Sequence, residues 1–158
     1  MRKRIIFQGM QGVPPTDQDW LDVERLAQVE LTSEDPAHPF ESALRPDTGS
    51  AWRASSPGEQ TIRLLFDEPV RIKHIRLVFH EEKYARTQEF VLRWSPDDGQ
   101  PYQEIVRQQY NFSPPETIRE VEDYAVDLDR VTALEISIVP DISGSDVRAS
   151  LAGLQLAT

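Results

Sequence analysis

The segment His80-Glu81-Glu82-Lys83-Tyr84-Ala85-Arg86 brings an imidazole, two adjacent carboxylates, an ammonium, a phenol and a guanidinium into one short stretch. These groups can hold a polyhydroxylated ligand. An aromatic ring stacks on the C–H face of a pyranose, and charged partners exchange directed hydrogen bonds with its hydroxyls. The same composition also fits a solvated, salt-bridged hairpin, and the sequence weighs the two equally. Trp52-Arg53 and Tyr110-Asn111-Phe112, the latter just before Ser113-Pro114-Pro115, could supply further walls of a cleft. The candidate ligand-binding residues are therefore Arg53, His80, Glu82, Tyr84, Arg86 and Asn111. Trp52 is expected to cap a core, with Arg53 paired to a neighbouring carboxylate as its structural alternative, and Phe112 to plug the end of the fold beneath its loop.

Other chemistries lack their parts. His38, His74 and His80 are too scattered for a metal-binding pair. Asp141-Ile142-Ser143-Gly144-Ser145-Asp146 holds two carboxylates but lacks the alternation and terminal Glu of a calcium-binding EF-hand, so a side-chain-stabilised turn is expected there. No nucleophile stands at diagnostic spacing from a base, and the numerous acidic residues identify no catalytic pair. No Gly-rich phosphate loop is present. The chain is expected to be non-enzymatic, without cofactor or metal.

Strands must position these residues. Ile62, Leu64 and Phe66 alternate with less apolar neighbours, as do Ile75, Leu77 and Phe79, and Phe90, Leu92 and Trp94, the period of half-buried strands. Strands are expected over 29–32, 60–67, 70–80, 87–95, 102–110, 117–127, 131–139 and 147–157. Between them lie Pro57-Gly58, Asp67-Glu68-Pro69, Pro96-Asp97-Asp98-Gly99, Pro114-Pro115 and Ser143-Gly144 as turns or loops. Residues 39–44 suit one helical turn, and the phase shift between Ile72 and Ile75 places a bulge near His74. The fold class is all-β, a jelly-roll β-sandwich preceded by a short N-terminal arm or helix. The arm is assigned to residues 1–28 and the sandwich to 29–158. Trp20, Val23, Leu26 and Ala27 recur at helical spacing after Asp17, a candidate N-cap, and Trp20 is expected to anchor the arm.

The chain has 158 residues, enough for one domain with a packed core. Without cysteine it has no disulfide and no thiolate metal site, and this fits the reducing cytoplasm. The basic start Met1-Arg2-Lys3-Arg4 leads into Ile5-Ile6-Phe7, an apolar run too short for a secretion signal, and no stretch is apolar enough to cross a membrane. A net charge of -10 disfavours nucleic acid as a partner. Arg71, Lys73 and Arg76 read as an outer strand face.

The order of landmarks resembles the discoidin or coagulation-factor type C family, the galactose-binding-like domains that include many carbohydrate-binding modules. The resemblance spans roughly 29–157. It rests on Leu31-Thr32-Ser33, Ala51-Trp52-Arg53-Ala54-Ser55, the run from Gln60 to Phe66, Ile72 to Leu77, Phe90 to Ser95 with Asp97-Asp98-Gly99 and Tyr102, and Ala149 to Leu156. It implies a non-catalytic module that binds a carbohydrate or glycan through loops at one end of the sandwich. Relatives often hold calcium with a loop similar to Asp47-Thr48-Gly49-Ser50 and a Glu in the last strand. Here the last strand runs Ser150-Leu151-Ala152-Gly153-Leu154-Gln155, without that Glu. A narrower similarity links Thr32-Ser33-Glu34-Asp35-Pro36-Ala37-His38, Trp52-Arg53-Ala54 and Gly58-Glu59-Gln60-Thr61-Ile62 to the N-terminal domain of the eukaryotic single-strand-break repair scaffold. That similarity implies the alternative, a scaffold or repair-type adaptor that binds a protein partner or a DNA end.

Overall fold

Alternating apolar residues become strands, and two of the strands are long enough to serve both layers of a sandwich. A computed structural model describes residues 20–45, 48–96 and 101–158. A single helical turn, Val23–Leu26, leads into β1 (Ala27–Leu31), and a 3₁₀ turn follows at Phe40–Leu44, where one helical turn is expected from sequence. The remaining strands are β2 (Trp52–Arg53), β3 (Gln60–His80), β4 (Arg86–Ser95), β5 (Gln103–Phe112), β6 (Arg119–Val139), β7 (Ser150–Leu151) and β8 (Gly153–Ala157). Asp17 and the Asp97-Asp98-Gly99 turn lie outside the described residues, as do Met1–Arg4 and Asp47.

The first half of β3 pairs with β1 and with the second half of β6, which also pairs with β4; β5 then forms the outer edge. The second half of β3 pairs with β8 and with the first half of β6. All these pairings are antiparallel. The chain thus bends twice from one layer into the other without leaving a strand.

Here the structure departs from the expected strand breaks. Asp67-Glu68-Pro69 is no turn: β3 runs through it, with register shifts between Leu65 and Val70, Val70 and Ile72, and Ile72 and His74. Bulges add residues to one strand and sharpen its bend, so one strand can line two layers. On β6 the matching bend holds Arg130 at φ 59, a left-handed conformation that few side chains adopt. The last of the β3 shifts falls beside His74, where the sequence places a bulge.

The three expected apolar faces meet between the layers. Ile62, Leu64, Ile75, Leu77, Phe79, Phe90 and Leu92 are buried, and Phe79 of one layer packs on Phe90 of the other with ring centroids 5.1 Å apart. Trp94 is only half-buried, because β4 changes register against β5 after Leu92 and the alternation slips at that point. Trp20 forms a bridge with Ala157 at the end of β8, and its ring lies 5.7 Å from that of His74. Trp20 therefore packs on the second layer beside His74. No helix among the described residues is long and apolar enough to cross a membrane.

Candidate functional site

At one end of the sandwich the β3–β4 loop faces the segment that leads from β6 into β7. Together they bound a cleft of about 640 Å³. Arg53, His80, Glu82 and Tyr84 all line it, so four of the six candidates converge. Lys83, Asp146 and Arg148 join them.

Arg53 is placed by a knot of hydrogen bonds. The Trp52 side chain is fully buried, and its indole N–H donates to the Ser33 carbonyl at 3.2 Å. The Asp35 amide donates to the Arg53 carbonyl at 2.8 Å, and the Arg53 amide to the His38 carbonyl at 3.2 Å. Asp35 also accepts from the Ala37 amide, the main cause holding its carboxyl below its ordinary pKa. Glu34 accepts from the Phe40 amide at 2.6 Å, and the Ser33 hydroxyl links Gln60 to the Ser55 amide. With the backbone satisfied in this way, β2 pairs with β7 so that Arg53 stands opposite Ser150, which also lines the cleft. The guanidinium of Arg53 has no partner among the described residues, so the ion pair expected as its structural alternative does not form.

Tyr84 presents its ring to solvent, 53% exposed, whereas the other aromatic side chains near this end are packed. Phe112 is buried as expected, and Tyr110 packs edge-on against it at 4.9 Å while its hydroxyl donates to the Arg119 carbonyl. His80 lies 3.6 Å from Glu82 on the cleft rim.

Arg86 stands apart from the cleft. Its side chain is 1% exposed and does not reach the cleft. Nε donates to Glu81 Oε1 at 2.7 Å, one terminal nitrogen donates to the Pro140 carbonyl at 2.7 Å and to Gln88, and the guanidinium sits 4.7 Å above the Phe112 ring. A buried cation persists only where its donors are filled, and here they tie the β3–β4 loop to the start of the 141–146 loop. Arg86 braces both walls of the cleft. Burial opposes the charge of Glu81, but Arg86 and the Lys83 and Tyr84 amides prevail and hold its carboxyl below the ordinary value.

Asn111 also falls away from the cleft. It lines a separate, more open depression with Thr87, Phe112 and Ile142, and its side-chain oxygen accepts from the Thr87 hydroxyl at 2.6 Å.

The 141–146 loop is the side-chain-stabilised turn expected. Asp141 accepts from the Ser145 and Ser143 hydroxyls and the Ser143 amide, and these bonds lower its pKa to about 2. Among the described residues no three His, Asp or Glu side chains converge on a point that a metal ion could occupy.

Behind Arg86, inside the sandwich, Gln88 donates to Glu120 Oε1 at 3.3 Å. Glu120 Oε2 is buried with no donor among the described residues, and burial, followed by the neighbouring Glu122 carboxylate, pushes this carboxyl up to about 8. A proton on Glu120 satisfies the pair, since the neutral carboxyl donates to the carboxylate beside it. Tyr124 donates to Glu122 at 2.9 Å, and burial raises its pKa. Sequence reasoning missed Lys83 and Arg148 as cleft residues and Glu120 as a buried acid. Only the inward phase of Glu120, Glu122 and Tyr124 on β6 could have signalled the last.

Comparison with known proteins addresses this geometry. A model of the XRCC1 N terminal domain family matches residues 22–128, more than half of the chain. The chain belongs to the XRCC1 N-terminal domain family. The Thr32–His38 knot lies inside the matched span, whereas the 141–150 wall of the cleft lies beyond it. No curated protein matches the chain. Among solved structures, reduced XRCC1 bound to the DNA pol beta catalytic domain shares 17% identity at a TM-score of 0.61, covering 84% of this chain and 96% of that one. A carbohydrate-binding module, CpGH89CBM32-5 from Clostridium perfringens, in complex with GalNAc-beta-1,3-galactose, is 16% identical at a TM-score of 0.62, covering 88% and 99%. The CBM32 of AlyQ in complex with 4,5-unsaturated mannuronic acid is 14% identical at 0.59, covering 83% and 94%. These likenesses establish a galactose-binding-like β-sandwich shared by binding modules of both kinds.

Proposed function

We propose that this XRCC1 N-terminal-type domain is a non-catalytic binding module that takes a saccharide in the cleft at the β3–β4 end. One observation carries the proposal: the exposed ring of Tyr84 shares the cleft with Arg53, His80 and Glu82, while the neighbouring Phe112 and Tyr110 are committed to packing. Tyr84 stacks on the sugar ring, and the charged groups take its hydroxyls. Structural neighbours that hold sugars support this use of the fold. Binding is weak for each module, so paired copies on one polymer gain by avidity.

A second reading has its own observation. Among the described residues β5 pairs only with β4, leaving an open edge, and the family relative of the same fold is seen with a polymerase domain. An open edge can accept a strand from a protein partner. Glycan-array binding by the wild-type chain, compared with Tyr84→Ala, separates the two. Glycan binding lost in Tyr84→Ala supports the cleft. Absence of any glycan signal, with one protein recovered stoichiometrically in a pull-down and released by proline substitution on β5, replaces it with the scaffold.

A further inference from the structure

Resting on the saccharide reading of the cleft, we infer that the ligand is an acidic saccharide, its carboxylate or ester anion taken by Arg53, Lys83 and Arg148. Elsewhere in the described chain Arg25, Arg119 and Arg130 stand unpaired and apart from the cleft, but most arginines find carboxylates: Arg45 meets Glu24, Arg71 meets Asp127, Arg107 meets Glu89, and Arg63 and Arg93 share Glu135. That is the expected outcome on a molecule with 27 acidic and 17 basic residues. What sets Arg53, Lys83 and Arg148 apart is that three cations without an ion pair among the described residues line one cleft. Arg148 comes only within Coulombic reach of Asp35, a carboxylate already bonded to the Ala37 amide and His38.

The carboxylates of the cleft do not balance these cations locally. Glu81 is spent on Arg86 and two loop amides, and Asp141 on Ser143 and Ser145. Glu82 lies beside His80. Asp146 remains, exposed on the same wall, as an acceptor for hydroxyls. The cleft therefore offers free cationic donors, a carboxylate acceptor and an aromatic face at once. A neutral sugar meets the cations only through its hydroxyls, whereas a sugar acid also gives them a counter-charge. A guanidinium meets a carboxylate, sulfate or phosphate in a two-pronged fork, and such charge-assisted bonds are among the strongest in water. Arg53 is suited to this because its backbone is pinned on both sides and opposite Ser150. On a chain of net charge -10, general attraction cannot draw an anion in, so recognition depends on these local groups.

The test is calorimetric titration of the intact chain with oligogalacturonate, oligomannuronate and dextran sulfate, each beside its uncharged counterpart, the methyl esters of the first two and plain dextran. Binding of an acidic form with at least about tenfold loss in the neutral form is expected, and about tenfold loss in Arg53→Gln and in Arg148→Gln. Arg71→Gln, on the bend of β3, leaves affinity unchanged. Preference for the uronates assigns the anion to a carboxylate, and preference for dextran sulfate assigns it to an ester. Equal binding of charged and uncharged forms overturns the anion while the saccharide reading stands. If no saccharide in either form binds, or if only a 5′-phosphorylated nicked duplex binds through the same arginines, the saccharide reading falls and the inference with it.

Discussion

Two polar regions lie on either side of Arg86, and they differ in what surrounds their charges. In the cleft, Arg53, Lys83 and Arg148 face solvent with no ion pair among the described residues. Inside the sandwich, Gln88 and Glu120 are shut away from water beside the half-buried Glu122, and Glu120 holds its proton well above the ordinary carboxylate range. The residue types are similar on both sides. What separates a site from a strut is whether a charge must be satisfied by the protein or is left for a ligand. Arg86 stands between the two regions, and its bonds to Glu81 and Pro140 hold the wet one in shape.

Arg86→Ala is the largest blow to this division. It leaves Glu81 buried without its cation and should cost about 3–5 kcal/mol in chemical denaturation, with cleft binding lost alongside. Arg86→Lys keeps the charge but not the fork, so it should recover only part of both. Full binding in a folded Arg86→Ala chain would show that the walls stand without their brace.

Glu120→Gln comes next. A carboxyl whose folded pKa lies above its unfolded value favours the fold fully below the unfolded value, near 4.5, and loses that contribution as pH rises through about 8. Thermal melts of the wild type should therefore decline over that window. Glu120→Gln should flatten the decline and melt a few degrees higher at pH 9, at about 2–4 °C per kcal/mol for a chain of this size. An unchanged pH profile would mean that the dry region is not dry.

Asp141 has the opposite sign. Its folded pKa near 2 lies below its ordinary 3.8, so its contribution is present above the ordinary value and lost as pH falls through about 2. Asp141→Asn should lose about 1 kcal/mol at neutral pH and very little at pH 2, read by denaturant midpoints at the two conditions. The smallest effect belongs to Asn111→Ala, which breaks one exposed bond to Thr87: roughly 0.5 kcal/mol, with cleft binding intact. Binding lost in that variant would move the ligand to the depression beside Thr87 and dissolve the contrast.

The sandwich was readable from alternation because each strand buries one face, and burial leaves its mark on every second residue of the faces led by Ile62, Ile75 and Phe90. The merging of two expected strands into β3 was not, since Asp67-Glu68-Pro69 has the composition of a turn whether the chain reverses there or bends. Of the candidates, His80, Glu82 and Tyr84 share the cleft because residues at the junction of two strands emerge at the same rim, and Arg53 joins them through the pairing of β2 with β7. Arg86 sits only two positions beyond Tyr84, but it begins β4 with its side chain turned inward. Arg148 and Lys83 carried no periodic signal, and Asn111 belonged to the right end of the fold but to a different hollow.

The amino-acid order alone determined which segments are strands and that a charged, aromatic loop joins two of them, because hydrophobic periodicity is a local property carried by each strand. Which charges remain free was decided by tertiary structure. Whether an arginine meets a buried glutamate or open water depends on side chains brought together from β2, the β3–β4 loop and the approach to β7, segments far apart along the chain, and desolvation acts only on that assembled arrangement.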